Sequence, residues 1–400
     1  MPNSLPNHIL FYTSIPFTHV PPESELHPDV ASNPLITIVP LRPFPSALRS
    51  SSKLLFPLLA PLKALHQALT LYLALGYTSP PSRYMLVQNP PSIPTLAVSS
   101  VVAFLRNTDL VIDWHNFGYS ILALKLGPSH PLVTISAWYE KLFAQFAAHH
   151  ITVTYAMARV LNQEYRVPAK TLHDRPAALF RPITSSERTA FLTRLPETAA
   201  LASSILSGSC KLIVSSTSWT PDEDFSLLLS ALESYAARSR ANPALPRILA
   251  IITGKGPQKQ HYLDRIKDLE SQGRLPNVGV GTAWLTPQDY AMLLGAADLG
   301  VSLHTSSSGV DLPMKVVDMF GAGLPVVGWG EFEAWPELVK EGVNGRGFGS
   351  AEQLAGLLVG LFGGVEGGLK VLKEGAVGES KERWEGEWER VGGKLFGLVE

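Results

Sequence analysis

Apolar and polar positions follow two different spacings along the chain. Short runs rich in Val, Ile and Leu are typical of strands that are buried on both faces of a sheet. The segments between them carry apolar residues three and four positions apart, which indicates amphipathic helices. This alternation of strand and helix predicts an α/β protein with parallel sheets covered on both faces.

The first regular series occupies the amino-terminal half of the chain, and a weaker pattern precedes it. Its predicted strands are residues 84–87, 109–112 and 151–154, and its predicted helices are residues 93–105 and 133–148. Upstream, residues 36–39 have a good strand pattern, and residues 8–12 are a weaker candidate. We assign residues 1–190 to a first Rossmann-like domain.

A second α/β series follows a proline-containing crossover. Its predicted strands are residues 212–215, 248–253, 278–280, 299–304 and 324–327, and its predicted helices include 225–238, 287–294 and 351–362. These elements define a second Rossmann-like domain over residues 205–370. An amphipathic helix at residues 381–395, within the final segment 371–400, is expected to pack back across both domains.

The most informative stretch lies between the last two predicted strands. Residues 305–309 are small, mostly hydroxyl-bearing and end in glycine, which lets backbone approach an anion closely. Asp311 is expected to cap the following helix, with Pro313 in its first turn. Lys315 and Asp318, three residues apart, share one helix face. A nucleotide-diphosphate site fits this pattern, and so does a serine-rich turn before an ordinary amphipathic helix.

Two further loops follow predicted strands, where open α/β sheets bind ligands. His115 and Asn116 come shortly after the predicted strand at residues 109–112. His115 is a candidate acid/base group or a local hydrogen-bonding partner. The turn of residues 254–256 places Lys255 as a second phosphate candidate, although the Gly-Lys-Gly signal is weak alone. Other polar residues are interpreted as structural: Glu140 as a helix-surface charge, His149 and His150 as structural histidines, and Asp222, Glu223 and Asp224 as charges at a helix N-terminus.

Residues 54–75 form the most apolar helical stretch. A spanning helix would have to bury Lys63 and accept Pro57 and Pro61, so we reject it. Two interpretations stay open, a helix lying on a bilayer surface and a buried helix at the edge of a domain.

Composition narrows the classes further. The chain has 400 residues and a net charge of −1, so no broad basic surface indicates nucleic-acid binding. Its one cysteine, Cys210, fits a reducing compartment and excludes a metal cluster built from cysteines. Neither a secretory signal nor an uninterrupted apolar span opens the chain.

Several long motifs together resemble a known family. They are residues 86–91 (LVQNPP), 113–119 (DWHNFGY), 138–141 (WYEK), 174–176 (DRP), 216–225 (STSWTPDEDF) and 306–321 (SSSGVDLPMKVVDMFG). This set looks like the chitobiosyldiphosphodolichol beta-mannosyltransferase family, over roughly residues 25–349 and the tail helix. The resemblance implies a GT-B glycosyltransferase fold with two Rossmann-like domains.

The resemblance also implies a reaction, its partners and its place. Members transfer mannose from GDP-mannose to GlcNAc2-diphosphodolichol on the cytosolic face of the endoplasmic reticulum, forming a β-1,4 linkage in N-glycan precursor assembly. The expected partners are GDP-mannose, the dolichol-linked acceptor, the membrane surface and other dolichol-pathway mannosyltransferases, without nucleic acid. No cofactor and no metal ion are expected, because cationic side chains and a helix N-terminus can stabilise the leaving diphosphate.

By position in the motifs, Lys315 matches a phosphate-binding lysine, and Asp318 matches a ribose-binding acid that is more usually Glu. Because the donor is α-linked and the product β-linked, the reaction inverts and needs a general base. His115 is the first choice for this base and Asp113 the second. The expected substrate-binding residues are Asn116, Trp219, Lys255, His304, Ser306, Ser307, Ser308, Gly309, Asp311, Lys315 and Asp318.

Two alternatives to this function stay open at the level of the sequence. The chain is a retaining α-glycosyltransferase of the same fold, or a catalytically inactive partner that docks on membrane-bound glycosyltransferases. The family usually opens with a hydrophobic anchor, a first strand and a Gly/Arg loop that faces the donor. None of the three is recognisable in residues 1–24.

Overall fold

The structure is a computed structural model that describes residues 9–12, 33–45, 56–220, 223–364 and 368–399. The chain divides into two compact units. Unit 1 comprises Met1–Thr152 and Met157–Thr171, and unit 2 comprises Val153–Ala156 and Leu172–Glu400.

Unit 1 contains a five-stranded parallel sheet whose strands follow one another in chain order. The strands are β1 (Ile9–Tyr12), β2 (Tyr84–Asn89), β3 (Asp109–Trp114), β4 (His149–Thr152) and β5 (Lys170–Thr171). Its helices are α1 (Phe56–Leu73), α2 (Thr95–Arg106), α3 (Gly118–Leu126), α4 (Pro131–Ala144) and α5 (Tyr155–Val160), which begins in the segment assigned to unit 2. Because parallel crossovers are right-handed and the strand order advances in one direction, α1, α2 and α4 cover the same face of the sheet.

The upstream strand predictions have opposite outcomes. The weaker candidate at residues 8–12 is confirmed as β1, which pairs in parallel with β2. The better-patterned residues 36–39 are not a strand, so that prediction is wrong: the segment is irregular, and Ile36 and Ile38 are exposed. Prolines at positions 34, 40 and 43 limit its capacity to pair with a sheet. Apart from β1, the expectations for residues 1–24 lie outside the described residues.

Helix α1 combines features of both interpretations of the apolar stretch. It continues as a π-helical turn (Ala74–Thr78), and Leu71 and Leu75 are buried. A stripe of leucines on another side is exposed, namely Leu62, Leu65, Leu69 and Leu73. Among the described residues, no helix has the length and apolar character that crossing a membrane requires.

Unit 2 contains a six-stranded parallel sheet in the order β11-β10-β9-β6-β7-β8. Its strands are β6 (Cys210–Ser216), β7 (Arg247–Thr253), β8 (Val278–Ala283), β9 (Leu299–Ser302), β10 (Val326–Trp329) and β11 (Gly345–Phe348). Its helices are α6 (Ser185–Arg194), α7 (Pro196–Ala199), α8 (Ala202–Ser207), α9 (Phe225–Ala241), α10 (Lys259–Ser271), α11 (Pro287–Ala296), α12 (Met314–Gly321), α13 (Trp335–Leu338), α14 (Ala351–Phe362), α15 (Gly368–Glu379) and α16 (Trp384–Trp388). Two α/β units with parallel sheets confirm the predicted fold class.

The carboxy-terminal segment differs from the single helix predicted at residues 381–395. It forms α15, then the short α16, then a π-helical turn (Glu389–Gly393). Glu387 of α16 is buried and binds Arg175 of the crossover at 3.0 Å from Nη2. The backbone N–H of His173 also donates to Glu387, at 3.3 Å. The tail therefore holds the crossover segment in place within unit 2.

Candidate functional site

The predicted loop and helix after β9 are present, with a different helix start. Helix α12 begins at Met314 with Pro313 as its N-cap residue, so the expected cap at Asp311 and the first-turn position of Pro313 are wrong. Asp311 is instead buried, and its carboxylate accepts hydrogen bonds from Ser306 Oγ and from His304 Nε2, the latter at 3.1 Å. The carboxylate thus organises the loop that precedes the helix.

The hydroxyl groups of this loop bind its own backbone. Ser306 Oγ accepts from the N–H of Gly309 at 2.8 Å, and Ser308 Oγ accepts from the N–H of Val310 at 3.5 Å. Ser306, Ser307, Ser308 and Gly309 are all half-exposed. The N–H groups of Gly309 and Val310 are therefore already bonded within the loop. The backbone donors best suited to an anion are the amides in the first turn of α12.

Lys315 forms an ion pair with a buried acidic residue. Its ammonium group contacts the carboxylate of Glu223, whose side chain is only 4% exposed. The same carboxylate accepts from Thr217 Oγ1 at 3.0 Å and from the N–H of Ser218 at 2.5 Å. Burial alone would raise the pKa of Glu223, but the charge and hydrogen bonds of Lys315 and Ser218 hold this pKa below its usual value.

Glu223 therefore departs from its interpretation as a helix N-terminal charge. That interpretation is correct for Asp224, whose side chain caps α9 by accepting from the N–H of Ser226. Asp222 lies outside the described residues. Glu223 and Lys315 are 92 residues apart in the chain, so no local pattern in the sequence could have paired them.

Asp318 follows Lys315 on the same side of α12, in a poorly solvated position. Burial raises the pKa of this carboxyl group to about 7. The nearby Tyr290 hydroxyl is 2.8 Å from Ser216 Oγ, and its own pKa is raised to about 12, chiefly by burial. Asp318 therefore changes its charge near neutral pH, which is unusual for an aspartate.

Close packing explains why residues 254 and 256 of the Gly-Lys-Gly turn are glycine. A Cβ atom at Gly254 would lie 1.8 Å from the carbonyl oxygen of Thr217, and one at Gly256 would lie 1.7 Å from that of Ser218. Glycine is thus required because this turn lies directly against the backbone of the Glu223 loop. Lys255 itself places its ammonium nitrogen 3.9 Å from the ring centre of Trp284, a cation–π contact.

Trp284 is exposed beside Lys255, whereas Trp219, a predicted substrate-binding residue, is buried. Trp284, which was not among the predicted site residues, follows β8 at the edge where Lys255 follows β7, and it is 63% exposed. Trp219 is fully buried, packs against Phe225 and donates its indole N–H to the carbonyl of Gly254 at 3.3 Å. We therefore assign Trp219 to the core, since contact with a substrate requires an exposed surface.

In unit 1, the predicted catalytic candidates lie together at the carboxyl end of β3, Asp113 within the strand and His115 directly after it. His115 Nε2 is 3.0 Å from Asp113 Oδ2, and both side chains are partly exposed. The N–H of His115 donates to the carbonyl of Asn89 at 2.9 Å, which fixes the backbone of the loop. Asn116 Oδ1 accepts from the N–H of Phe117 at 2.8 Å and holds the start of α3. A carboxylate that orients an imidazole is an arrangement that general-base catalysis uses.

Glu140 is fully buried, so its interpretation as a helix-surface charge is wrong. Its carboxylate accepts from the N–H of Gly118 at 2.7 Å, from Ser92 Oγ and from Tyr165 OH at 3.3 Å. Burial raises the pKa of Glu140, and these hydrogen bonds oppose the rise. The side chain joins the loop that carries His115 to the segment after β2.

We expect the Glu140→Gln variant to lose one component of the pH dependence of stability. Because its folded-state pKa is raised, wild-type Glu140 contributes stability below its unfolded pKa, and this contribution is lost as the pH rises through the folded value. The neutral variant should stay within about 1 kcal/mol of wild type at mildly acidic pH and lose less stability towards alkaline pH. Urea unfolding across this pH range measures the difference, and identical pH profiles would contradict the prediction.

His149 and His150, interpreted from the sequence as structural, lie on β4. His150 is buried and accepts the indole N–H of Trp114 at its Nδ1, at 3.1 Å. Burial lowers the pKa of His150 to about 4, so the ring is neutral at physiological pH. A neutral, hydrogen-bonded ring supports the structural interpretation for His150.

Comparison with known proteins identifies close relatives. A chitobiosyldiphosphodolichol beta-mannosyltransferase from Arthroderma benhamiae is 54% identical over 382 residues, covering 94% of this chain and 85% of the relative. The protein of the same name from Mus musculus is 41% identical, covering 78% of this chain and 69% of the relative. UDP-glycosyltransferase TURAN from Arabidopsis thaliana is 40% identical, with 91% and 86% covered.

Solved structures show the same fold at low sequence identity. HepE from Anabaena in complex with UDP matches with a TM-score of 0.62 and 17% identity over 84% of this chain and 83% of that chain. Sucrose-phosphate synthase from Thermosynechococcus elongatus matches with a TM-score of 0.59 and 15% identity over 91% and 81%. These neighbours are GT-B glycosyltransferases, which confirms the predicted GT-B architecture. No family profile matches the chain.

Proposed function

Because the chain belongs to the chitobiosyldiphosphodolichol beta-mannosyltransferase family, we propose that it transfers mannose from GDP-mannose to GlcNAc2-diphosphodolichol, forming a β-1,4 linkage. The observation that carries this proposal is 54% identity over 94% of the chain to a relative with that name. The protein is accordingly a hexosyltransferase of N-glycan precursor assembly.

The proposed donor site lies in unit 2, around Lys315 and α12. Breaking the bond between mannose and phosphate places negative charge on the departing diphosphate. The ammonium of Lys315 and the N-terminal amides of α12 stabilise this charge without a metal ion. Glu223 positions the ammonium group, and its bonds to Thr217 and Ser218 keep the carboxylate in place while Lys315 contacts the diphosphate.

The proposed acceptor chemistry lies in unit 1. Inversion at the anomeric carbon requires one displacement, in which a base removes the proton from the attacking hydroxyl group. His115 is the proposed base, and Asp113 orients its ring and stabilises the imidazolium that forms. Asn116 holds the backbone of the same loop.

The proposed location is the cytosolic face of the endoplasmic reticulum membrane, with peripheral association. The support is chemical, because an acceptor carried on dolichol resides in a bilayer. The exposed leucine stripe of α1 fits the interfacial interpretation of this helix. The membrane surface and other dolichol-pathway mannosyltransferases are its proposed partners.

A transfer assay with the full chain tests the reaction. Purified protein is incubated with labelled GDP-mannose and a lipid-linked chitobiose diphosphate, with UDP-glucose and UDP-N-acetylglucosamine as competing donors. We expect transfer of mannose from GDP-mannose, no transfer of glucose or N-acetylglucosamine from the competing donors, and release of the mannose by β-mannosidase. A product that only α-mannosidase cleaves would indicate a retaining enzyme. A folded protein that neither transfers mannose nor binds GDP in calorimetry would indicate a non-catalytic partner.

Nucleotide affinity should depend on the charge of Asp318. A carboxylate accepts hydrogen bonds from both ribose hydroxyls, and protonation removes part of that capacity. With a pKa of about 7, the charged fraction rises about tenfold between roughly pH 6 and pH 8, and we expect GDP affinity to rise by up to about the same factor. Calorimetric titration with GDP across this range measures the change.

The Asp318→Asn variant isolates this contribution. It should bind GDP more weakly than wild type at alkaline pH and lose the Asp318-dependent slope, while the titration of the GDP phosphate stays common to both proteins. Asp268→Asn, at an exposed position on α10, serves as the control and should keep the wild-type slope. Equal slopes in Asp318→Asn and wild type would refute the ribose assignment.

A further inference from the structure

Three helices of unit 1 expose large apolar side chains on one side of the sheet. Right-handed connections place α1, α2 and α4 on the same face, with α2 packed between α1 and α4. The exposed apolar residues are Leu62, Leu65, Leu69 and Leu73 on α1, Val101, Phe104 and Leu105 on α2, and Leu132, Ile135 and Trp138 on α4. We call these ten side chains the helix-layer surface.

The side chains on α2 and α4 are exposed because these helices present their other sides to the protein. On α4, Val133, Ser136 and Glu140 are buried, whereas Leu132, Ile135 and Trp138, each one or two positions before a buried residue, are exposed. Phe104 is 86% exposed and Trp138 is 63% exposed. Single exposed apolar residues are ordinary, but a set spread over three adjacent helices is typical of an interaction surface.

Positive charge predominates in the sequence around this surface, and the exposed Glu164 pairs with Lys141 of α4 at 3.4 Å. Residues 30–108 of the sequence contain no Asp or Glu, whereas they contain six Lys or Arg residues, in a chain of 34 acidic and 33 basic residues. Residues 114–139 likewise contain Lys125 and no acidic residue. The nearest carboxylates in sequence are Asp109 and Asp113, at the two ends of β3, and Glu140, which is buried. Such a distribution complements an anionic surface.

We infer that the whole helix-layer surface, and not α1 alone, docks on an anionic lipid bilayer, with Phe104 and Trp138 entering the interfacial region. Aromatic and aliphatic side chains beside lysine and arginine are the composition that binds at this depth. A bilayer fits better than a protein partner because an apolar layer combined with positive charge needs no matching shape. This inference deepens the proposed function, since it states how unit 1 meets the membrane that carries its acceptor.

Vesicle flotation with the full chain tests the inference without requiring catalysis. The probes are phosphatidylcholine vesicles with and without phosphatidylserine. Wild type should float with the anionic vesicles, and added salt should weaken the binding. The Phe104→Ser/Trp138→Ser variant, which leaves α1 unchanged, should bind about tenfold more weakly because two large apolar side chains no longer enter the lipid.

A matched control uses exposed apolar residues of unit 2. Leu206→Ser/Val371→Ser removes two such side chains and should float like wild type. Thermal unfolding verifies that each variant is folded.

Flotation of the Phe104/Trp138 variant at the wild-type level would overturn the inference. A second outcome would also overturn it: wild type is a dimer in vesicle-free buffer, and the variant is a monomer that floats like wild type. A protein that floats as expected but transfers no mannose would refute the proposed function and leave docking standing.

Discussion

Replacement of Lys315 by alanine is expected to lower the rate of mannosyl transfer by about two to three orders of magnitude. The substitution removes the ammonium group proposed to stabilise the leaving diphosphate, and loss of one such group in a preorganised site has effects of this size. The effect should appear in kcat, because the charge develops in the transition state. Steady-state kinetics with GDP-mannose and the lipid-linked acceptor measure it.

This substitution also leaves Glu223 buried without its cation, so a fall in stability could imitate a loss of catalysis. The Lys315→Ala/Glu223→Gln variant removes both charges and should recover stability without recovering transfer. Urea unfolding and kinetics on the same preparations separate the two effects. Transfer at the wild-type rate by Lys315→Ala would remove Lys315 from the proposed mechanism. Recovery of transfer in the double variant would assign the loss to folding alone.

Replacement of Glu387 by alanine should destabilise the protein by about 3–5 kcal/mol, the range observed when one partner of a buried ion pair is removed. The carboxylate accepts from Arg175 and from the N–H of His173, and Arg175 is only 16% exposed. Its removal leaves a poorly solvated guanidinium group with fewer acceptors. Glu385→Ala, at an exposed position of the same helix, is the control and should change stability by less than about 0.5 kcal/mol.

The pH dependence of this contact has a definite sign. Burial favours the neutral form of Glu387, but the hydrogen bond and charge of Arg175, with smaller contributions from the N–H of His173 and the charge of Arg390, hold the pKa of the carboxyl group below its ordinary value. The stabilisation is therefore complete above the unfolded pKa and is lost as the pH falls through the folded pKa. Chemical unfolding of wild type and Glu387→Ala should converge in acid. A constant difference at every pH would show that packing, rather than charge, accounts for the loss.

The repeating elements could be predicted from the sequence because their signals are local. Strand β9, the polar loop after it and the buried residues Val316, Val317 and Phe320 follow from apolar spacing over a few turns. Pairs of distant charges leave no such signal. Glu223 has the composition of a helix start, and only the tertiary fold brings it to Lys315.

Burial of a polar side chain is similarly hard to predict from one sequence. Glu140 lies in a run of polar and aromatic residues, yet Gly118, Ser92 and Tyr165 supply the donors that allow a carboxylate to enter the core. Residues 36–39 illustrate the opposite error: their β-branched pattern has no strand beside it in the described structure. Both errors arise because the deciding contacts come from elsewhere in the chain.

The close contact between the Gly-Lys-Gly turn and the Glu223 loop has a consequence for recognition. The two backbones pack directly against each other, with no room for a Cβ atom between them, so we expect this wall of the proposed site to be ordered before a nucleotide binds. A ligand that touches this wall loses little entropy in ordering it. Even alanine at Gly254 or Gly256 would push the two loops apart, and we expect this to weaken nucleotide binding at the proposed site.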